Sequence, residues 1–292
     1  MQYEVELVVD EKALLGEGPS WDNVNGVLYW VNILGEKVHI FDPETNVNRT
    51  INLDQYVGAV VPSESGKLIL AMQHGFYALN LQTEQLTKIA DPEEHIPNNR
   101  FNDGKCDALG RLWAVTMSLK DEQGTGNLYR LNGDYHVERM IENVTISNGI
   151  TWSPDNKVMY YIDTPTRQIV AYDFELETGS IRNKRAVIDI PEEMGNPDGM
   201  TSDEEGMLWV AKWGGSQIGR WDPHTGKLID SISIPAPQVT SCSFGGKNMD
   251  ELYITTARVG LGEDILEKYP HAGGLFRVKT SVKGQRMYPF KK

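Results

Sequence analysis

The chain has 292 residues, with 28 Lys and Arg against 41 Asp and Glu and a formal net charge of −13. Such an acidic balance repels phosphate backbones and anionic headgroups, which argues against nucleic-acid and membrane partners. No apolar run of about eighteen residues occurs, the opening Met1-Gln2-Tyr3-Glu4 lacks a basic leader pattern, and two cysteines, Cys106 and Cys242, are too few for a disulfide framework. A soluble, cytoplasmic chain with reduced, buried thiols is expected.

The first predicted element, residues 3–9, alternates apolar and charged side chains and stands outside the pattern that follows. Next comes a short strand, apolar-aromatic-apolar in its clearest copies, repeated six times: Val27-Leu28-Tyr29-Trp30, Lys67-Leu68-Ile69-Leu70, Arg111-Leu112-Trp113-Ala114, Val158-Met159-Tyr160-Tyr161, Met207-Leu208-Trp209-Val210 and Glu251-Leu252-Tyr253-Ile254. The third positions are separated by 40, 44, 47, 49 and 44 residues. A period in the forties made of short strands marks a β-propeller, each repeat being one four-stranded blade around a central channel. Six repeats use nearly the whole length, so residues 1–292 read as one domain, all-β and six-bladed.

Each repeat has the same turns in the same places. Asp22-Asn23-Val24-Asn25-Gly26, Asp107-Ala108-Leu109-Gly110 and Asp203-Glu204-Glu205-Gly206 join first to second strands, while Asp42-Pro43-Glu44-Thr45 and Asp222-Pro223-His224-Thr225-Gly226 join third to fourth. The last repeat runs out after Gly273-Gly274-Leu275-Phe276-Arg277-Val278, leaving a short basic tail. The surplus strand at residues 3–9 is therefore expected to complete the sixth blade and remove two open sheet edges. Trp21-Asp22 and Trp221-Asp222 occupy different places in their repeats and do not define a WD40 array.

Upstream of each marker, at the start of each first strand, lies a recurring pair: Glu17-Gly18, Val57-Gly58, Asp103-Gly104, Asn148-Gly149, Asp198-Gly199 and, in the sixth repeat, Ser241-Cys242. First strands line a propeller's axis, so these positions form a ring at one mouth of the channel. Asn-Gly and Asp-Gly in isolation mean hairpin turns, but the hairpins here lie downstream, and Glu17-Gly18 is no hairpin signal. Carboxylates converging in a confined place repel one another unless a cation sits between them. Glu17, Asn148 and Asp198 offer oxygen alone, which suits Ca²⁺, Mg²⁺ or Mn²⁺ better than Zn²⁺, and three protein ligands leave room for water and substrate.

The phrases Gly16-Glu17-Gly18-Pro19-Ser20-Trp21, Asn99-Arg100-Phe101-Asn102-Asp103-Gly104, Ser147-Asn148-Gly149-Ile150-Thr151-Trp152 and Pro197-Asp198-Gly199-Met200 resemble the SMP-30/gluconolactonase, or regucalcin-like, family. The resemblance covers nearly the whole chain and implies a six-bladed calcium-dependent lactonase. Carried over, the family's metal ligands are Glu17, Asn148 and Asp198, and its substrate-holding residues are Arg100 and Asn102. Some members place an acid a few residues beyond the pair that corresponds to Thr116-Met117. Here Lys120 stands near that place in a shortened loop and is the expected substrate contact.

The expected activity is hydrolysis of a small, sugar-type lactone to its hydroxy acid, with Asp198 or Asp103 as the base and one divalent cation, Ca²⁺ foremost. The rivals are a phosphotriesterase-like or other ester hydrolase at the same site, and a calcium-binding propeller without turnover. Partners beyond the small-molecule substrate are not expected, and the assembly is a monomer or small homo-oligomer. The six histidines show no ligand spacing.

Overall fold

The computed structural model describes residues 3–292. Among them, regular structure is almost all strand, interrupted by one six-residue helix, Glu263–Lys268, and two short 3-10 turns. Residues 16–52, 57–90, 99–144 and 147–189 each form a four-stranded antiparallel sheet with its strands in chain order. The remaining eight strands make two further groups of four, joined through a single residue pair, Trp213 with Gln238. The chain is thus all-β, built from the four-stranded antiparallel sheets of a propeller.

In the last group, Gln238–Gly245, Glu251–Ala257 and Leu275–Lys279 are followed in space by Val5–Val9, from the other end of the chain. Val5 lies opposite Val278 and Leu7 opposite Phe276, so the apolar positions of the N-terminal strand meet apolar partners. Arg277 donates to Glu6 Oε2 through Nε at 3.1 Å and Nη2 at 2.7 Å, which marks the same register from the polar face.

Burial falls from the inside of each group outward. The first strand Gly16–Asp22 is buried throughout, whereas the fourth strands Val47–Asn52 and Lys227–Ser233 alternate with solvent. All six marker side chains, Tyr29, Ile69, Trp113, Tyr160, Trp209 and Tyr253, are buried, because a second strand has neighbouring sheets on both faces. Each such burial contributes about 1.5–3 kcal/mol. An indole also carries a donor that must be satisfied. Trp113 Nε1 donates to Asp107 Oδ2 at 2.8 Å and Trp209 Nε1 to Asp203 Oδ2 at 2.9 Å, so the turn aspartates serve the aromatic position as well as the turn.

The first strands touch in cyclic order: Gly16–Asp22 packs on Val57–Pro62, which packs on Asn99–Cys106, then Ser147–Trp152, Asn196–Ser202 and Gln238–Gly245, and this last strand returns to Gly16–Asp22. Glycine permits that approach. A Cβ at Gly58 would lie 2.3 Å from the Phe101 carbonyl oxygen of the next strand, and one at Gly199 would lie 2.1 Å from Ser241 Oγ.

The basic tail does something its sequence does not announce. Residues 283–291 run across the turns that join first to second strands and share a hydrogen bond with each of the six groups. Gly284 N donates to Met249 O, Glu204 N to Lys283 O, and Gln285 Nε2 to Trp152 O; Asn23 Nδ2 donates to Met287 O, Phe290 N to Pro62 O, and Lys291 N to Gly110 O. Phe290 is fully buried and stacks on Tyr135.

Candidate active site

Every first strand breaks its ladder with a β-bulge near the start. The register shifts fall between Glu17 and Ser20, Val57 and Ala59, Phe101 and Asp103, Ser147 and Ile150, Pro197 and Met200, and Val239 and Ser241. A bulge adds a residue on one strand and re-aims side chains, which is why bulges recur beside active sites. In the fourth and fifth strands the break contains the recurring X-Gly pair, and in the first and second it contains the glycine, with Glu17 and Val57 the last paired residues before it. In the third it falls on Asn102, one residue ahead of Asp103-Gly104, and in the sixth on Thr240.

A cavity of about 550 Å³ opens at this end. Glu17, Arg100, Asn102, Asn148 and Asp198 all line it, brought from four different sheets, and all are buried as residues. Asp103 is buried but is not on the lining, because the bulge at Asn102 carries it one residue further along the strand; its Oδ1 accepts from Gly104 N at 2.6 Å. Lys120 also lies off the lining, with an exposed side chain, and its neighbour Asp121 takes the wall position, from a turn in which Asp121 has φ of 55°. Leu15, Leu34, Met117, Ile146, Trp213 and Val259 form an apolar wall, and Thr164 and Asn196 complete the lining. Asp121 and Thr164 carried no motif by which sequence reasoning could find them; adjacency to the Thr116-Met117 stretch was the one clue to Asp121.

The electrostatics are unbalanced. Burial, then the charge of Asp198, then that of Asp103, push the Glu17 carboxyl well above the ordinary carboxylate range. Burial and the Asp103 charge do the same to Asp198. Burial also raises Asp103, opposed by Lys105 and the Gly104 N–H. Arg100 is the positive group on the lining, and its own burial lowers it to about 10. Carboxyls raised in this way take either protons or a cation.

Among the described residues no three His, Cys, Asp or Glu side chains form a metal-holding group, so a site here needs the amide of Asn148. The donor set fits a hard cation. Glu17 and Asp198 bring carboxyl groups and Asn148 an amide oxygen to a shared cavity, and repulsion between the two carboxyls is the deficit that a divalent ion removes. Asn148 Oδ1 accepts from Asn102 Nδ2 at 3.0 Å and keeps a second lone pair. Arg100 Nη1 donates to Asn102 Oδ1 at 2.7 Å and to Phe101 O at 3.0 Å, the hydrogen bonds that this side chain makes among the described residues. No helix among those residues is long and apolar enough to cross a membrane.

The family model described as SMP-30/Gluconolactonase/LRE-like region matches residues 15–258. A protein of Bacillus subtilis (strain 168) whose name places it with the sugar lactone lactonases (YvrE) is 45% identical over 284 residues, 97% of each chain. Regucalcin of Xenopus laevis is 39% identical over 287 residues, 96% of each chain. The crystal structure titled as a calcium-binding protein, regucalcin, from Agrobacterium tumefaciens superposes with a TM-score of 0.96 at 29% identity, covering 100% of this chain and 99% of that one. With that match across both sequence and architecture, the chain belongs to the SMP-30/gluconolactonase/LRE-like family.

Proposed function

We propose that the six strand groups form one closed six-bladed β-propeller, sealed at one end, whose open mouth is the active site of a divalent-cation-dependent lactonase. The observation that carries this is the meeting of Glu17, Asn148 and Asp198, far apart in the chain, on one buried cavity wall. The names of the relatives, sugar lactone lactonase and calcium-binding regucalcin, support a lactone substrate and Ca²⁺ respectively.

Glu17, Asn148 and Asp198 would hold the cation. When bound, it supplies electrophilic pull on a carbonyl oxygen and makes water more acidic. The protein's own groups do the rest. Arg100 and Asn102 orient the lactone, the guanidinium donating to an ester oxygen through N–H groups not used within the protein. Water attacks the carbonyl carbon, and the proton it loses goes to a carboxylate oxygen of Asp198, the raised acid that lines the cavity. The ring C–O bond breaks, the departing oxygen takes that proton, and the product is a hydroxy acid. Asp103, off the lining, is left to shape the field. Asp121 on the wall is an acceptor for substrate hydroxyls, which favours a sugar-type ring, while the apolar wall covers its C–H face.

The test is acid release from gluconolactone by chelator-treated protein, before and after Ca²⁺ is returned, with a phosphotriester and an alkyl lactone in parallel. Hydrolysis of the sugar lactone restored by Ca²⁺ is expected. Turnover indifferent to chelator, or calcium binding with no ester hydrolysed, overturns the reading.

A further inference from the structure

The hydrogen bonds around Asn148 form a chain with one direction. Arg100 Nη1 donates to Asn102 Oδ1 at 2.7 Å, and Asn102 Nδ2 donates to Asn148 Oδ1 at 3.0 Å and to Ser147 O at 2.9 Å. Asn148 Nδ2 then donates to Thr164 Oγ1 at 2.8 Å, and the Thr164 hydroxyl donates to the Pro197 carbonyl at 2.8 Å. A guanidinium only donates and a carbonyl only accepts, so both ends force the same orientation on every amide between them. Asn148 is left with its oxygen on the Asn102 side and its NH₂ on the Thr164 side.

Thr164 is itself held firmly. Its backbone N donates to Ile146 O at 2.9 Å, and the preceding Asp163 accepts the N–H groups of Thr145 at 3.2 Å and Ile146 at 2.9 Å. At the other end of the same short turn, Arg167 donates to Asn196 Oδ1 at 2.6 Å and Gly195 O at 2.8 Å. The turn at residues 163–167 therefore staples the strand carrying Asn148 to the segment that leads into Asp198, and one hydroxyl closes the staple on the peptide next to Asp198.

We propose that Thr164 is a positioning residue that locks the amide of Asn148 with its oxygen available for coordination and couples that amide to the strand of Asp198. The proposal rests on the cation reading above. Without the hydroxyl, Asn148 Nδ2 loses its acceptor, and only the Asn102 bond at the other end still holds the amide with its lone pair in place.

Thr164→Val keeps the shape and removes the hydroxyl; Thr164→Ser keeps the hydroxyl. Calcium titration of the chelator-treated full chain by calorimetry is the readout, with far-ultraviolet circular dichroism and the calcium-free melting midpoint recorded for each variant. Thr164→Val is expected to weaken calcium about 10- to 100-fold, the usual cost of losing a partner that orients a metal ligand, and Thr164→Ser to stay within about threefold of wild type. Unchanged calcium affinity in Thr164→Val, with wild type binding normally, overturns the positioning role alone. Equal weakening by Ser and Val overturns it too, because the hydroxyl is then not the cause. If wild type binds no divalent ion, the cation reading falls and takes this one with it.

Discussion

The two ends of the six first strands could hardly differ more. At the bulged end, three buried carboxyls and Arg100 crowd together, and the cavity remains open. At the turn-bearing end, the C-terminal tail gives every group a hydrogen-bond partner and buries Phe290 among Ala59, Phe101 and Tyr129. One end stores electrostatic cost where a ligand can relieve it, and at the other apolar burial and satisfied backbone hold the groups together. Function and stability are thus separated along one axis, and that separation can be tested one end at a time.

The largest effect belongs to the open mouth. Asp198→Asn removes a ligand and the base together and is expected to lower kcat/KM about a thousandfold or more. Because burial and Asp103 hold the Asp198 carboxyl well above its usual range, its ionised form costs stability at neutral pH in the calcium-free protein. The same variant is therefore expected to have a higher urea midpoint without calcium, and a lower one would break the contrast.

At the turn-bearing end the sign reverses. Phe290 is fully buried, so Phe290→Ala is expected to cost about 3–5 kcal/mol in urea unfolding. In the fraction that stays folded, kcat is expected to stay within about twofold of wild type, since no residue of 283–291 lines the cavity. Loss of catalysis without loss of stability would show that the two ends are not separate.

A smaller effect sits on the flank. Lys212 Nζ is buried without a hydrogen-bond partner among the described residues and lies 4.9 Å from the centre of the Trp221 ring. Burial first, and the charge of Arg167 next, push it down to about 7 from an ordinary 10.5. Between those values the unfolded chain keeps a proton that the folded chain has shed, so folding grows more favourable as pH rises across that window. Lys212→Met is expected to stabilise by about 2 kcal/mol at pH 6, with the gain shrinking steadily from pH 7 toward 10. A gain that does not change with pH would assign it to packing instead.

Much of the architecture was legible because it repeats. The six aromatic or aliphatic markers all sit in second strands and are all buried, and the pairing of Val5–Val9 with Leu275–Lys279 matches the surplus strand read at the start of the chain. Glu17, Asn148 and Asp198 share a wall because their places in the repeat are equivalent. What the repeat does not encode was invisible. The bulge at Asn102 displaces Asp103 by one residue, and the turn after Ser118 puts Asp121 on the wall and Lys120 in solvent. Neither follows from spacing, since a one-residue change in a bulge or turn alters which side chain faces inward.

The sequence by itself determined repeated groups of short strands with oxygen-bearing residues at equivalent positions, because a structural period forces equivalent residues to equivalent places. Only the tertiary structure decided that residues 283–291 tie the six groups together at their turns and that Thr164 links Asn148 to the Asp198 strand. Those contacts join segments with no common period, and their partners are defined by where the folded strands end.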